Sequence, residues 1–149
     1  MKKFLKWAVI VVLVLGVIGA FLGEDDFEAE LDYDISVDEE VVEITGETNL
    51  EDGTLIGYEI DNYQTTESMS EDEFFIDGDM EVNDGEFSAE IDISDEAVEG
   101  HLIEAWIGFI PGVQPDEIRE EYGDGGEYLE GDLVDDDGRI YILEEFDFQ

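Results

Sequence analysis

Strict alternation of apolar and polar side chains indicates the fold class of this chain more firmly than any other pattern in it. Between residues 27 and 37 every odd position is apolar and every even position is polar, mostly Asp or Glu. A period of two places successive side chains on opposite faces of a β-strand, so that one face is buried and the other meets water. The segment 27–37 therefore predicts a half-buried strand.

Shorter strand-like runs follow this segment, separated by loops rich in Asp, Gly, Asn and Ser. They cover residues 41–45, 55–63, 74–82, 87–93, 101–110 and 139–146. The stretch PDEIREEYG at 115–123 predicts one helix, because Pro115 suits a first helical turn and Gly123 suits a helix end. Several short strands at this spacing are typical of a β-sandwich or a small barrel. We expect an all-β domain with one short helix that straps strands together.

The dipeptide Asp84-Gly85 predicts a two-residue hairpin turn, because both residue types tolerate the positive φ that such turns require. The expected cross-strand pairs are Val82 with Phe87, Met80 with Ala89, Glu81 with Ser88 and Asn83 with Glu86. In this register apolar residues meet apolar residues and polar residues meet polar ones, which favours the hairpin.

Residues 136–138 predict a second hairpin, with a three-residue loop and a left-handed Gly138. Val134 would then face Ile140, and Asp135 would face Arg139. The register places a rare cation of this chain opposite a carboxylate, a favourable cross-strand pair.

Residues 1–23, MKKFLKWAVIVVLVLGVIGAFLG, have the layout of an export signal, with a basic start and then an apolar run. Residues 7–23 would extend about 25 Å as a helix, at the short end of what spans a bilayer. The lysines would stay in the cytoplasm, and the acidic domain, residues 24–149, would lie outside. Cleavage after Ala20 would put the bulky Ile18 at a position that prefers small residues, so we favour a membrane anchor over a cleaved, secreted form.

The domain that follows is extremely acidic. The chain contains 45 Asp and Glu residues, and the strong bases after residue 23 are Arg119 and Arg139 alone, which gives residues 24–149 a formal charge of −43. On a surface of this size carboxylates lie ~12 Å apart, whereas salt screens charges over ~30 Å at 0.01 M and ~3 Å at 1 M. Such a surface is typical of a halophilic or alkaliphilic protein with monovalent and divalent cations as counterions. It excludes nucleic acid as a partner.

A calcium site is the alternative explanation for part of this acid, because Ca²⁺ takes about six to eight oxygen ligands. The candidate ligands are Glu71, Asp72, Asp77, Asp79, Asp135, Asp136 and Asp137. No stretch has the spacing of an EF-hand loop, and clusters also arise by chance in a chain this acidic. Calcium is the one cofactor that the sequence leaves open.

Side chains for catalysis are scarce. The chain has no cysteine and a single histidine, His101, which excludes thiol nucleophiles and histidine-rich zinc sites. We expect His101 to be an exposed imidazole at a strand end. Carboxylate pairs are too frequent here to mark a glycosidase. The sequence therefore predicts a protein that is not an enzyme.

Without cysteines the domain has no disulfides, so its stability must come from a hydrophobic core or from bound ions. Aromatic residues for such a core are spread along the chain. Trp106 and Phe109, in EAWIGFIPG, could form a contact patch, although Trp106 beside Ile107 is more simply interpreted as core.

Three stretches carry a resemblance: GETNLEDGT at 46–54, VNDGEF at 82–87 and QPDEIREEYGDGGEYLEG at 114–131. They resemble a recurring type of exported, acidic bacterial and archaeal domain with an immunoglobulin-like β-sandwich fold, over roughly residues 46–134. Glu51 departs from the pattern, in which a proline is expected. The resemblance implies the fold and no activity. We expect an extracellular cell-envelope module with an interaction or structural role and an envelope protein as its partner; the alternative is a calcium-dependent binding module.

Overall fold

The computed structural model describes residues 26–63, 73–97 and 99–148. Within these ranges the elements follow in the order β1 (Phe27–Glu28), β2 (Leu31–Asp38), β3 (Val41–Thr48), β4 (Leu55–Asp61), β5 (Phe75–Glu81), β6 (Glu86–Asp92), β7 (Leu102–Phe109), a 3₁₀ helix (Pro111–Val113), α1 (Asp116–Tyr122), β8 (Leu129–Glu130) and β9 (Ile140–Asp147). No helix of these ranges is long and apolar enough to cross a membrane. The predicted anchor, residues 1–23, lies outside them.

The strands form two antiparallel sheets that pack as a sandwich. A three-stranded sheet has the order β2-β3-β6, and a four-stranded sheet has the order β5-β4-β7-β9. A short parallel pair, β1 with β8, lies beside them. The prediction of an all-β sandwich-like domain with one short α-helix is confirmed.

The core lies between the inner faces of the two sheets, where the alternation of the sequence puts the apolar residues. Val42, Ile44, Phe87 and Ile91 fill it from the three-stranded sheet, and Ile56, Ile60, Met80, Ile103, Ile107, Phe109 and Ile140 fill it from the four-stranded sheet. A hydrogen bond of 2.9 Å from Tyr33 Oη to a carboxylate oxygen of Glu144 joins the two sheets at the edge where β2 and β9 lie. Burial of these aliphatic side chains is the main stabilising contribution that the sequence offers.

Helix α1 closes one end of the sandwich. Its apolar residues Ile118 and Tyr122 are buried, and the Tyr122 ring packs 5.2 Å from that of Phe27 and 6.1 Å from that of Phe109, centroid to centroid. The backbone N–H of Glu51 donates a hydrogen bond of 2.8 Å to Tyr122 Oη. A proline at position 51 has no N–H to donate, so this hydrogen bond requires a residue other than proline there.

The predicted strand over 27–37 is interrupted. Its alternation continues through Ala29, but β1 pairs with β8 while β2 joins the three-stranded sheet. The side chain of Asn49 accepts from the Glu30 N–H and donates to the Glu28 carbonyl, each at 2.8 Å, and so holds the chain where it leaves one partner for the next. A uniform period of two does not reveal which partner strand each half selects.

The first predicted hairpin is right at its turn and wrong beyond it. Asn83 and Glu86 pair, and Asp84 and Gly85 have φ values of 53° and 77°. The pairs expected further out do not form: Met80 pairs with Ile56 and Ala89 with Ile44. The backbone of Val82 hydrogen bonds to Gly53 and Thr54, so β5 follows β4 while β6 follows β3.

The second hairpin is confirmed. Val134 pairs with Ile140, the Asp135 N–H donates to the Arg139 carbonyl at 2.8 Å, and Gly138 has a φ of 68°. The predicted helix at 115–123 is also confirmed, with Gly123 at its end at a φ of 90°.

Candidate functional site

The outer face of the four-stranded sheet is the surface that departs most from the acidic background. Its solvent side carries Phe75, Asp77, Asp79, Glu81, Leu55, Gly57, Glu59, Asp61, Leu102, Glu104, Trp106, Gly108, Tyr141, Leu143, Glu145 and Asp147. Aromatic and aliphatic residues therefore lie among carboxylates on the solvent side of this sheet. We treat this outer face as the candidate site.

Trp106 lies at the centre of this face. Gly57 of β4 and Gly108 of β7 are cross-strand partners, and a Cβ at Gly57 would lie 3.4 Å from Cζ3 of the indole while one at Gly108 would lie 2.8 Å from Cζ2. The missing side chains leave the space that the six-membered ring of the indole occupies. Tyr141 flanks the ring from β9, with centroids 5.3 Å apart and an interplanar angle of 42°.

The structure separates the two aromatic residues of EAWIGFIPG. Phe109 belongs to the core between the sheets, whereas Trp106 is only 7% exposed but buried on the outside of the sheet. The interpretation of Trp106 as core is therefore right about its burial and wrong about its place. Its indole N–H has no acceptor within the described part of the chain, and an unsatisfied buried donor costs about 1–3 kcal/mol.

Next to the indole, on the β9 side, the face is apolar and open. The side chains of Tyr141 and Leu143 are 63% and 45% exposed. Leu143 is the cross-strand partner of Trp106, so the three side chains form one patch. Exposed apolar side chains are ordinary when scattered, but these two lie together beside a buried Trp, which makes the patch a candidate contact surface.

On the β5 side of the indole lies a cavity of about 230 Å³. It is lined by Gly57, Gly108, Trp106, Ile110 and Val113 together with the carboxylates of Glu59, Asp77 and Asp79. One carboxylate oxygen of Asp79 lies 3.6 Å from the position that a Cβ of Gly57 would take, against 3.4 Å for the indole. The cavity thus has an aromatic wall and an acidic wall on either side of a glycine floor.

Further along the same face three carboxylates line up across three strands. Asp61, Glu104 and Glu145 are successive cross-strand partners on β4, β7 and β9. Glu104 is only 8% exposed. Burial raises the pKa of Glu104, and the carboxylates of Asp61 and Glu145 raise it further. Like charges this close disfavour full ionisation. Protonation of one carboxyl, or a bound cation, would therefore reduce the repulsion within this row.

The residues predicted to bind calcium do not come together as one group. Asp77 and Asp79 lie on β5, one edge of the four-stranded sheet, and Asp135, Asp136 and Asp137 lie in the loop before β9, the opposite edge. Asp135 caps its own loop, since one of its oxygens accepts the N–H groups of Asp137 and Arg139 at 2.9 Å. Glu71 and Asp72 lie outside the described residues.

Within the described ranges no three Asp, Glu or His residues are arranged to hold a metal ion. A calcium site involving the residues of the loop before β5 stays a prediction.

His101 is half-buried and is hydrogen bonded rather than free at a strand end. Its Nδ1 lies 3.0 Å from Nδ2 of the fully buried Asn62, whose Oδ1 accepts the Phe74 N–H at 2.9 Å. The imidazole therefore contacts the amide side chain that links the residue after β4 to the residue before β5.

A larger open groove of about 850 Å³ lies where β2, β3 and β6 approach β5. Tyr33, Gly46, Met80 and Phe87 line it, and its polar lining consists of carboxylates with Thr45, Asn83 and Ser88. The carboxylates that line it lie mostly at exposed strand positions. Asp77 and Asp79 beside Trp106 are just as exposed. The groove differs from the face around Trp106 because none of its described lining residues is a largely exposed apolar side chain.

Compared with protein-family models, curated proteins and solved structures, the chain has no match.

Proposed function

We propose that this chain is a non-enzymatic interaction module of the cell envelope, an acidic, immunoglobulin-like sandwich held outside the membrane by residues 7–23. The observation that carries the proposal is the patch of Trp106, Tyr141 and Leu143 on the solvent side of the four-stranded sheet. Two exposed apolar side chains beside a buried Trp, on a surface that is otherwise charged, support a protein contact here. The partner is accordingly an envelope protein that covers this patch.

The non-enzymatic part of the proposal is supported by the inventory of side chains. The sequence offers no cysteine, and its one histidine, His101, is held by Asn62. General acid–base or nucleophilic catalysis needs a titratable group in reach of another reactive side chain. An immunoglobulin-like sandwich hosts many roles, so the fold alone does not select among them.

The patch is tested by capture from envelope material. Full-length protein with Tyr141→Ser and Leu143→Ser should lose a partner that the unchanged protein retains at the native salt concentration. The matched control is Tyr128→Ser with Leu133→Ser, which removes a tyrosine and a leucine of comparable exposure from loops elsewhere. Equal capture by all three proteins contradicts the proposal.

The proposal includes a surface adapted to salt. Because screening shrinks from ~30 Å at 0.01 M to ~3 Å at 1 M, repulsion among the carboxylates should fade as NaCl is added. We expect the thermal midpoint to rise steeply between 0.01 and 3 M NaCl and 5 mM CaCl₂ to add little once NaCl is molar. A midpoint independent of NaCl contradicts this adaptation.

A calcium-dependent module is the second candidate, in which Asp77 and Asp79 of β5 would act together with Glu71 and Asp72, which lie outside the described residues. Calorimetric titration with CaCl₂ in 1 M NaCl distinguishes it. Saturation at one or two sites supports calcium as a ligand, and binding that NaCl abolishes reduces it to counterion condensation.

A further inference from the structure

The cavity beside Trp106 has more negative charge than its neighbourhood can neutralise. Asp77 and Glu59 are cross-strand partners, and Asp79 pairs with Gly57 one row further on. Among the described residues the ion pairs are those of Arg119 with Asp116 and Asp124, around α1. The carboxylates of this cavity therefore have no basic partner within the described part of the chain.

The chemistry of the walls favours an organic cation over a bare metal ion. Calcium needs a shell of about six to eight oxygens, whereas Trp106, Ile110 and Val113 make part of this cavity apolar. A guanidinium or ammonium group gains from an indole within about 6 Å, and its aliphatic stem gains from apolar contact. Lys and Arg side chains combine both properties.

The size and surroundings of the cavity limit the occupant further. A volume of about 230 Å³ admits one side chain and not a folded element. Tyr141 and Leu143 continue the contact surface beyond the indole. A second copy of this chain is disfavoured, because the basic residues of its acidic domain are Arg119 and Arg139 alone and Arg119 already pairs with Asp116.

We propose that the cavity lined by Trp106, Asp77 and Asp79 receives a Lys or Arg side chain from a basic segment of the partner protein, whose neighbouring apolar residues cover Tyr141 and Leu143. This inference rests on the proposed interaction function and names the chemistry of its partner.

The test uses full-length protein in detergent micelles with Trp7→Phe, so that Trp106 is the single tryptophan. The probe is a blocked twelve-residue peptide of alternating Arg and Gly, titrated in 1 M NaCl, where screening to ~3 Å suppresses diffuse attraction. We expect a saturable change in Trp106 emission. The same peptide with citrulline in place of Arg, which keeps the shape and removes the charge, should bind at least tenfold more weakly.

Charge-matched variants locate the effect. Asp77→Asn with Asp79→Asn should weaken the Arg peptide about tenfold or more. Glu43→Gln with Glu90→Gln removes two exposed carboxylates that face each other on the three-stranded sheet, and should weaken it less than twofold. Circular dichroism checks that both variants fold.

The outcomes separate this inference from the proposed function. Equal weakening by both double variants, or equal binding of the citrulline peptide, overturns the basic-segment inference. If the Arg peptide does not saturate but capture of an envelope partner still depends on Tyr141 and Leu143, the interaction function stands and its partner is not basic. If neither depends on this face, both proposals fail.

Discussion

The two sheets of the sandwich meet solvent in different ways. The outer face of the three-stranded sheet carries Asp32, Asp34, Ser36, Asp38, Val41, Glu43, Thr45, Glu47, Glu86, Ser88, Glu90 and Asp92. The outer face of the four-stranded sheet carries as regular a set of carboxylates, but they surround Trp106, Tyr141 and Leu143. The first face is a solvated acidic surface, and the second is an apolar patch surrounded by carboxylates.

The glycines of the two sheets differ in the same way, because they accommodate aromatic rings on different faces. In the three-stranded sheet Gly46 faces the core, and the ring of Phe87 takes the space that a side chain would need. In the four-stranded sheet Gly57 and Gly108 face outward, and Trp106 takes that space. Each sheet thus seats an aromatic ring over glycine, but only the four-stranded sheet does so on its solvent side. A ring seated there lies outside the core between the sheets, and in the proposed function it belongs to the surface that contacts a partner.

The largest expected difference between the faces comes from removing their central side chains. Trp106→Ala deletes a side chain that is 7% exposed and should lower the free energy of unfolding by about 3 kcal/mol, which corresponds to a fall of about 10 °C in Tm. Thr45→Ala, at the centre of the other outer face, should change it by less than about 0.5 kcal/mol.

Thermal unfolding in 1 M NaCl measures both variants. Similar losses for the two would show that the outer faces are energetically alike and that the indole is not firmly seated.

A smaller effect is expected from filling the seat of the indole. A Cβ at Gly108 would collide with the carbonyl oxygen of Ile140 and lie 2.8 Å from the indole, so β9 would have to shift. Gly108→Ala should cost about 2 kcal/mol and move the Trp106 emission spectrum. Gly57→Ala, whose Cβ would lie 3.4 Å from the indole, should cost less than about 1 kcal/mol. The reverse order would mean that the ring is seated on β4 rather than on β7.

Much of the sandwich is predictable because burial imposes the period of two. The strand segments, the Asp84-Gly85 turn and the loop of Gly138 follow from residue type and local geometry. The exchange of partners at Ala29 and at Val82 does not, because it depends on backbone hydrogen bonds to residues far along the chain. Local pattern fixes which face of a strand is buried and leaves open which sheet the strand enters.

The candidate site was predictable in part. In LIEAWIGF, residues 102–109, Trp106 shares its parity with Glu104, while the other parity is entirely apolar. This alternation predicts that Trp106 lies on the outer face together with Glu104. The interpretation of Trp106 as core relied instead on its neighbour Ile107, which belongs to the opposite face. The cavity itself could not be predicted, because it depends on Gly57 and Asp79 arriving from two other strands.

The smallest expected effect on stability comes from neutralising the central carboxylate in each of two rows of three. Asp61, Glu104 and Glu145 cross the four-stranded sheet, and Asp32, Glu47 and Glu86 cross the other. Burial, aided by Asp61 and Glu145, raises the pKa of Glu104 above its ordinary 4.5. Between 4.5 and the raised pKa the folded state binds more protons than the unfolded state, so this group's contribution to stability falls as pH rises.

Glu104→Gln keeps the shape and the donor of the protonated carboxyl without its charge. We therefore expect the variant to be slightly more stable than the unchanged protein at pH 7, with a smaller gain at pH 4, where Glu104 is mostly protonated in both states. Thermal unfolding at the two pH values in 1 M NaCl measures the difference. Glu47→Gln, the centre of the exposed row, is the control. If burial destabilises the Glu104 carboxylate, only the substitution of Glu104 should increase stability, because Glu47 is exposed. An equal gain from both substitutions at pH 7 would mean instead that general repulsion across the acidic surface acts on Glu104.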